Sequence, residues 1–127
     1  MKCEVITVTD REPTQDYYCY REFLASLDRF GVAPNILGNG QKWSGLMTKP
    51  RTLEKWLKSG KERHTDCLII CDSWDLVFAV HPQEIAERWD DGERTWIAGA
   101  ERNCFPDASL ADKHPQSDSS YRYLNSG

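Results

Sequence analysis

The chain has 127 residues, 39% of them hydrophobic, with five Trp, five Tyr and four Phe, and a formal net charge of −4. That is enough apolar material for one compact core, and it excludes collagen-like and low-complexity classes. Lys and Arg are scattered through residues 42–63 among acidic neighbours, so the basic stripe of a nucleic-acid binder is missing.

Read in chain order, Cys3 to Thr9 alternates apolar and β-branched residues as a strand, ends at Asp10, and gives way to a loop over 11–15. From Asp16, the residues Tyr17, Tyr20, Phe23, Leu24, Leu27 and Phe30 recur at helical spacing, with Gly31 as the C-cap. Val32 to Leu37 reads as a second strand. Residues 38–45 form a Gly-rich loop carrying Trp43, a ligand-contact candidate or a lid over the next helix. Pro50 opens a helix with Leu53, Trp56 and Leu57 on one face, up to Gly60. Near its start, Lys49, Arg51 and Lys55 are a phosphate-holding set or a solvated basic face. Cys67 to Cys71 is an apolar run, His81-Pro82 starts a helix with Ile85, Ala86 and Trp89, and Thr95 to Ala100 is a further strand. The segment from Asp107 to Ser120 is loop-like, and Tyr121 to Gly127 begins one more strand. Strands alternating with helices predict an α/β layered fold with a mostly parallel sheet.

The run Cys67-Leu68-Ile69-Ile70-Cys71 stops at Asp72-Ser73-Trp74-Asp75, and Leu76-Val77-Phe78 resumes at once. Such a strand reads as central in a parallel sheet, and ligands gather outside the carboxyl ends of strands in open α/β sheets. Carboxylates three positions apart can converge on one hard cation, and the aromatic between them offers a flat face for a base or sugar. Asp and Ser are also ordinary turn and cap residues, and both readings stand at this point.

Other chemistries find no support. The first strand is followed by Val8-Thr9-Asp10-Arg11-Glu12 rather than GxGxxG, and no phosphate P-loop is present. A receiver domain would need more than the single Asp10 after the first strand. His64, His81 and His114 fall in polar, turn-like contexts and read as surface residues. The cysteines, Cys3, Cys19, Cys67, Cys71 and Cys104, form no CxxC pair. On a strand Cys67 and Cys71 lie about 13 Å apart, from ~3.3 Å per residue, too far for a disulfide. They read as buried core thiols. With no apolar leader visible at Met1-Lys2-Cys3-Glu4-Val5 and no membrane-length stretch, a cytoplasmic setting without membrane partners is the expectation.

The order of blocks carries a resemblance: residues 5–9, the Gly-rich loop with Trp43, Leu68 through Asp75 to Val77, Ala100-Glu101-Arg102-Asn103-Cys104-Phe105-Pro106, and Tyr123-Leu124-Asn125-Ser126-Gly127. Together they resemble the glycosyltransferase domain of procollagen lysyl hydroxylases and related collagen glucosyltransferases, over nearly the whole chain. The resemblance implies a GT-A type, Rossmann-like nucleotide-diphosphosugar transferase fold, a three-layer α/β sandwich. It implies a UDP-sugar donor held through Mn²⁺ by Asp72 and Asp75, with Trp74 stacked on the uracil. Val8 and Thr9 would line the nucleotide pocket, and Ser73 and Trp43 would lie on the donor side. Glu101, Cys104 and Pro106 match a segment whose role reads as structural. Met47-Thr48-Lys49-Pro50-Arg51 replaces the family's glycine-rich, lysine-bearing stretch. In the family, Asn-Ser-Gly leads into a second half with another metal ligand and the acceptor site. Residues 1–127 are therefore expected to be a single, truncated, donor-binding half.

The expected function is sugar transfer from a UDP-sugar to an acceptor that the sequence does not identify. The alternative is a non-catalytic nucleotide-binding or interaction module built on the same sheet. No catalytic base or oligomeric state is legible. Asp72 and Asp75 are expected at the carboxyl edge of the sheet beside Val8 and Thr9, with Trp43 and Trp74 partly exposed near one cleft and Trp56 and Trp96 mostly buried.

Overall fold

The alternating N-terminal run forms β1 (Cys3–Val8), the middle strand of a three-stranded parallel sheet ordered β2-β1-β3, with β2 at Asn35–Leu37 and β3 at Cys67–Ile70. The structure is a computed structural model that describes residues 1–10, 18–60, 65–89, 92, 96–105 and 107–125. These fall into two compact units, Met1–Asp90 and Asp91–Gly127. In the first, Val8 aligns with Leu37 and Ile6 with Ile70, so all three strands end at the same edge. The opposite edge is fastened where the Lys2 N–H donates to the Asp66 carboxylate at 2.7 Å.

Two expectations about the strands are corrected here. β1, not β3, is central: β3 has no neighbour on its outer side among the described residues, and Ile70 is 52% exposed. An apolar run encodes that a strand will be covered, not from how many sides. β2 is shorter than Val32–Leu37 because Pro34 has no N–H to give to a ladder, and pairing begins after it.

The helix α1 (Tyr18–Asp28) buries Tyr20, Phe23 and Leu27, whose spacing puts them on one face, against Val5 of β1 and Phe78. It ends as the sequence predicts: Gly31 takes φ +67°, its N–H reaches the Asp28 carbonyl at 2.9 Å, and the Val32 N–H reaches Leu27 O at 3.1 Å. That pair of bonds is a Schellman closure, which suits a residue without Cβ. Helix α2 (Thr48–Lys58) lies against β1 and starts two residues before Pro50, which stands in the first turn where its missing N–H costs nothing. Trp56 on it is half-buried rather than core. Helix α3 (Pro82–Trp89) packs Ile85 onto the same cluster as α1. His81 opens it, its Nδ1 accepting the Gln83 N–H at 3.0 Å, so this histidine is a helix cap.

The second unit holds a short antiparallel pair, β4 (Ala100–Glu101) with β5 (Tyr123–Leu124), and a 3-10 helix over Ala108–Lys113 within the segment read as loop. The Asp107 carboxylate accepts both the hydroxyl and the N–H of Ser109, and these bonds hold its pKa below the usual carboxylate value. Trp96 is 76% exposed, contrary to the expected burial, because the paired segment starts only at Ala100 and leaves the apolar run before it uncovered. Among the described residues no helix is long and apolar enough to cross a membrane.

Candidate functional site

Strand order creates the site. The chain leaves β1 for β2 on one side and returns from β2 to β3 on the other, so the crevice between the carboxyl ends of β1 and β3 is where the crossovers diverge. Val8 and Thr9 close one wall, both nearly sealed, and Asp72 follows β3 on the other, with the Cys71 N–H donating to Ile6 O at 3.0 Å. Asp72 is half-buried and Asp75 exposed. Asp72 thus leaves the sheet at the same edge as Val8 and Thr9, and Asp75 follows three residues on.

Asp72 is already engaged. Its Oδ1 accepts the Ser73 N–H at 2.9 Å and its Oδ2 accepts the Lys49 ammonium at 2.6 Å, joining the start of α2 to the end of β3. A lysine in the first turn of a helix opposes the helix dipole, and this carboxylate offsets that. The sequence offered Lys49 only as one of three basic residues near a helix start. Beside Asp72, the Cys71 thiol is pushed up to about 11, first by burial and then by the neighbouring carboxylate, so it stays protonated.

The loop carrying Trp43 is tied to the same helix. Its exit is set by Gly38 at φ +86°, where a Cβ would stand 3.1 Å from the Thr9 carbonyl, so the loop leaves in close contact with the end of β1. Thr48 Oγ1 then accepts the Ser44 N–H at 2.9 Å, and Thr52 donates to the Gln41 side chain at 3.0 Å. Trp43 is 39% exposed on this tethered loop. Trp74 is half-buried and stacks on Tyr20 of α1, ring centroids 6.0 Å apart at 26°, so one of its faces is committed to the core.

What holds the 72–78 segment is invisible in the sequence pattern. The buried Ser26 hydroxyl accepts the Phe78 N–H at 2.9 Å and donates to Phe23 O at 2.7 Å, while the Arg29 guanidinium donates to the Phe78 carbonyl at 3.0 Å. Both backbone groups of Phe78 are clamped, one by α1 and one by the turn that follows it. No motif marks Ser26 or Arg29, although Ser26 falls on the buried side of the helical stripe.

Among the described residues no group of three or more His, Cys, Asp or Glu stands together, so a hard cation drawing on Asp72 and Asp75 would take its remaining positions from phosphate oxygens and water. Ser73 is fully buried and its Oγ meets no partner among the described residues, an orphan that calls for a ligand or ordered water.

A family model described as the PLOD GT domain matches residues 1–127. The chain belongs to this glycosyltransferase domain family. It is similar to the multifunctional procollagen lysine hydroxylase and glycosyltransferase LH3 of Rattus norvegicus, 32% identical over 135 residues, covering 99% of this chain and 18% of that protein. It is also similar to the multifunctional procollagen lysine hydroxylase and glycosyltransferase of Caenorhabditis elegans, 30% identical over 134 residues, covering 98% and 18%. An uncharacterized protein R699 of Acanthamoeba polyphaga mimivirus is 30% identical over 105 residues, covering 72% and 22%. This PLOD GT domain chain spans about a fifth of the length of the curated relatives it matches. Its remaining resemblance residues lie in the second unit: Glu101 pairs with Tyr123, and the Cys104 thiol donates to Asp107 O at 3.2 Å. Pro106, Ser126, Gly127 and His64 lie outside the described residues.

Proposed function

We propose that this chain is the donor-binding part of a GT-A type, three-layer glycosyltransferase domain, taking a UDP-sugar at the β1/β3 crevice for transfer to an acceptor. The observation that carries the reading is the Lys49–Asp72 pair at that crevice, a cation and a carboxylate held together where a diphosphate and its metal would arrive. Asp72 and Asp75 would hold the metal, Mn²⁺ or another divalent ion. When bound, that ion withdraws charge from the diphosphate leaving group.

The chain's own residues do the rest. Lys49, bonded to Asp72 at the crevice, would meet a diphosphate oxygen there, as a compact ammonium suits phosphate. The exposed part of Trp74 offers a flat surface for the base, its inner face being fixed by Tyr20. The close Gly38–Thr9 approach would keep the nucleotide wall tight, and Trp43, partly exposed on the tethered loop, would serve the donor side. Burial of Val8 and Thr9 lets them shape the pocket floor through backbone rather than through reaching side chains.

Calorimetry of UDP binding with and without Mn²⁺, on wild type and Asp75→Asn, tests this. The expected result is Mn²⁺-dependent UDP binding that the substitution makes metal-independent or abolishes, since a carboxamide keeps the shape but loses the charge that holds a hard cation. Equal, metal-independent binding by both proteins removes the pair from the metal site. UDP binding by wild type without release of UDP from a UDP-sugar supports the non-catalytic nucleotide-binding module instead.

A further inference from the structure

At the amino edge of the sheet, opposite the crevice, Cys3 of β1 stands directly across from Cys67 of β3 in the parallel register. Both are free and half-buried. Cys71 shares a strand face with Cys67 but sits four residues along, about 13 Å away at ~3.3 Å per residue. Cys19 and Cys104 occupy α1 and the second unit. Within Met1–Asp90, Cys3 is the thiol that the strand register sets across from Cys67.

We propose that Cys3 and Cys67 are a reversible dithiol–disulfide pair that staples β1 to β3. Neighbouring strands run about 4.8 Å apart, inside the Cα separations that disulfides span, whereas Cβ atoms in a flat parallel register stand slightly wider than a relaxed bridge prefers. A small inward shift of β3 supplies the difference. β3 can make it, because its outer edge carries no strand among the described residues. A bridge formed under that constraint is of the reducible kind.

The oxidant is a small-molecule disulfide of the glutathione class. The Cys67 thiolate attacks one of its sulfurs, a mixed disulfide forms and one thiolate leaves. Cys3 loses its proton to water and attacks the Cys67 sulfur, releasing the second thiolate. Two protein thiols are oxidised and one disulfide is reduced to two thiols. Cys3 takes the second role because its pKa is pushed up to about 11, first by burial, then by Cys67, with Glu87 of α3 adding to the rise and the amino terminus opposing it.

The test incubates the chain in glutathione buffers of increasing oxidation, quenches with an alkylating agent, and maps peptides without reduction. The expected product is intramolecular and two hydrogens lighter, has lost two of its five thiols, and yields a Cys3–Cys67 linked peptide that a dithiol reductant reverses. The bridged form should melt on the order of 10 °C higher, since the bond closes a long loop in the unfolded chain. Cys3→Ser and Cys67→Ser, each checked for a native circular dichroism spectrum, should lose the product. The proposal is overturned if oxidation gives only glutathione adducts, links a different pair, or forms the Cys3–Cys67 bridge solely in denaturant.

Discussion

Replacing Lys49 by Met separates structure from ligand binding at the crevice. The ammonium lies 2.6 Å from Asp72 Oδ2, with the two side chains 28% and 26% exposed. At an effective dielectric of about 20 the gross attraction is roughly 6 kcal/mol, most of which is offset by desolvation and by freezing the lysine chain, leaving about 1 kcal/mol net. Met keeps the helix propensity and the apolar stem, so α2 stays formed and the melting temperature falls by only a few degrees. Asp72 retains the Ser73 N–H at 2.9 Å. If the proposed donor site holds, two binding effects should then run in opposite directions. Mn²⁺ alone no longer competes with an ammonium for Asp72 and binds about tenfold more tightly, the equivalent of ~1.4 kcal/mol. UDP in the presence of Mn²⁺ loses its charge-assisted contact and binds ten- to a hundredfold more weakly, from about 1.5–3 kcal/mol. Electron paramagnetic resonance of free Mn²⁺ reads the first and calorimetry the second. A Lys49→Met protein that is folded, takes Mn²⁺ no better than wild type and binds UDP equally well would refute the reasoning and leave the ion pair a structural brace.

Ser26→Ala should cost about 1–3 kcal/mol, because it leaves the buried Phe78 N–H without its acceptor; chemical denaturation measures it, and a loss below 0.5 kcal/mol would mean that the clamp on the 72–78 segment lies elsewhere. Stability should also decline at alkaline pH. The folded Cys71 thiol holds its proton to about 11 against an ordinary 9.0, so its contribution is complete below pH 9 and is lost as the pH rises towards 11. Cys71→Ala should flatten that part of the curve in denaturation series across this window, and an unchanged slope would assign the decline to other groups.

The family was legible in the sequence alone. The block order from Val5 through the Asp72–Asp75 motif to Asn125 is a property of the sequence, and so are the alternation of β1, the stripe Tyr20-Phe23-Leu27, the Gly31 stop and the Pro82 start, because each depends on residues within a turn or two of one another. The polarity break after Cys71 likewise placed two carboxylates at a strand end without reference to the rest of the fold. Tertiary structure decided everything that joins distant residues. Strand order made β1 central and β3 an edge, which brought Lys49 onto Asp72, Cys3 opposite Cys67, and Ser26 and Arg29 onto the backbone of Phe78. Trp74 met Tyr20 for the same reason, and Trp96 remained exposed because pairing in the second unit begins only at Ala100. Periodicity specifies which face of an element is apolar, whereas the neighbour that covers that face is fixed by how the crossovers wind and by which polar groups each strand end leaves to be satisfied.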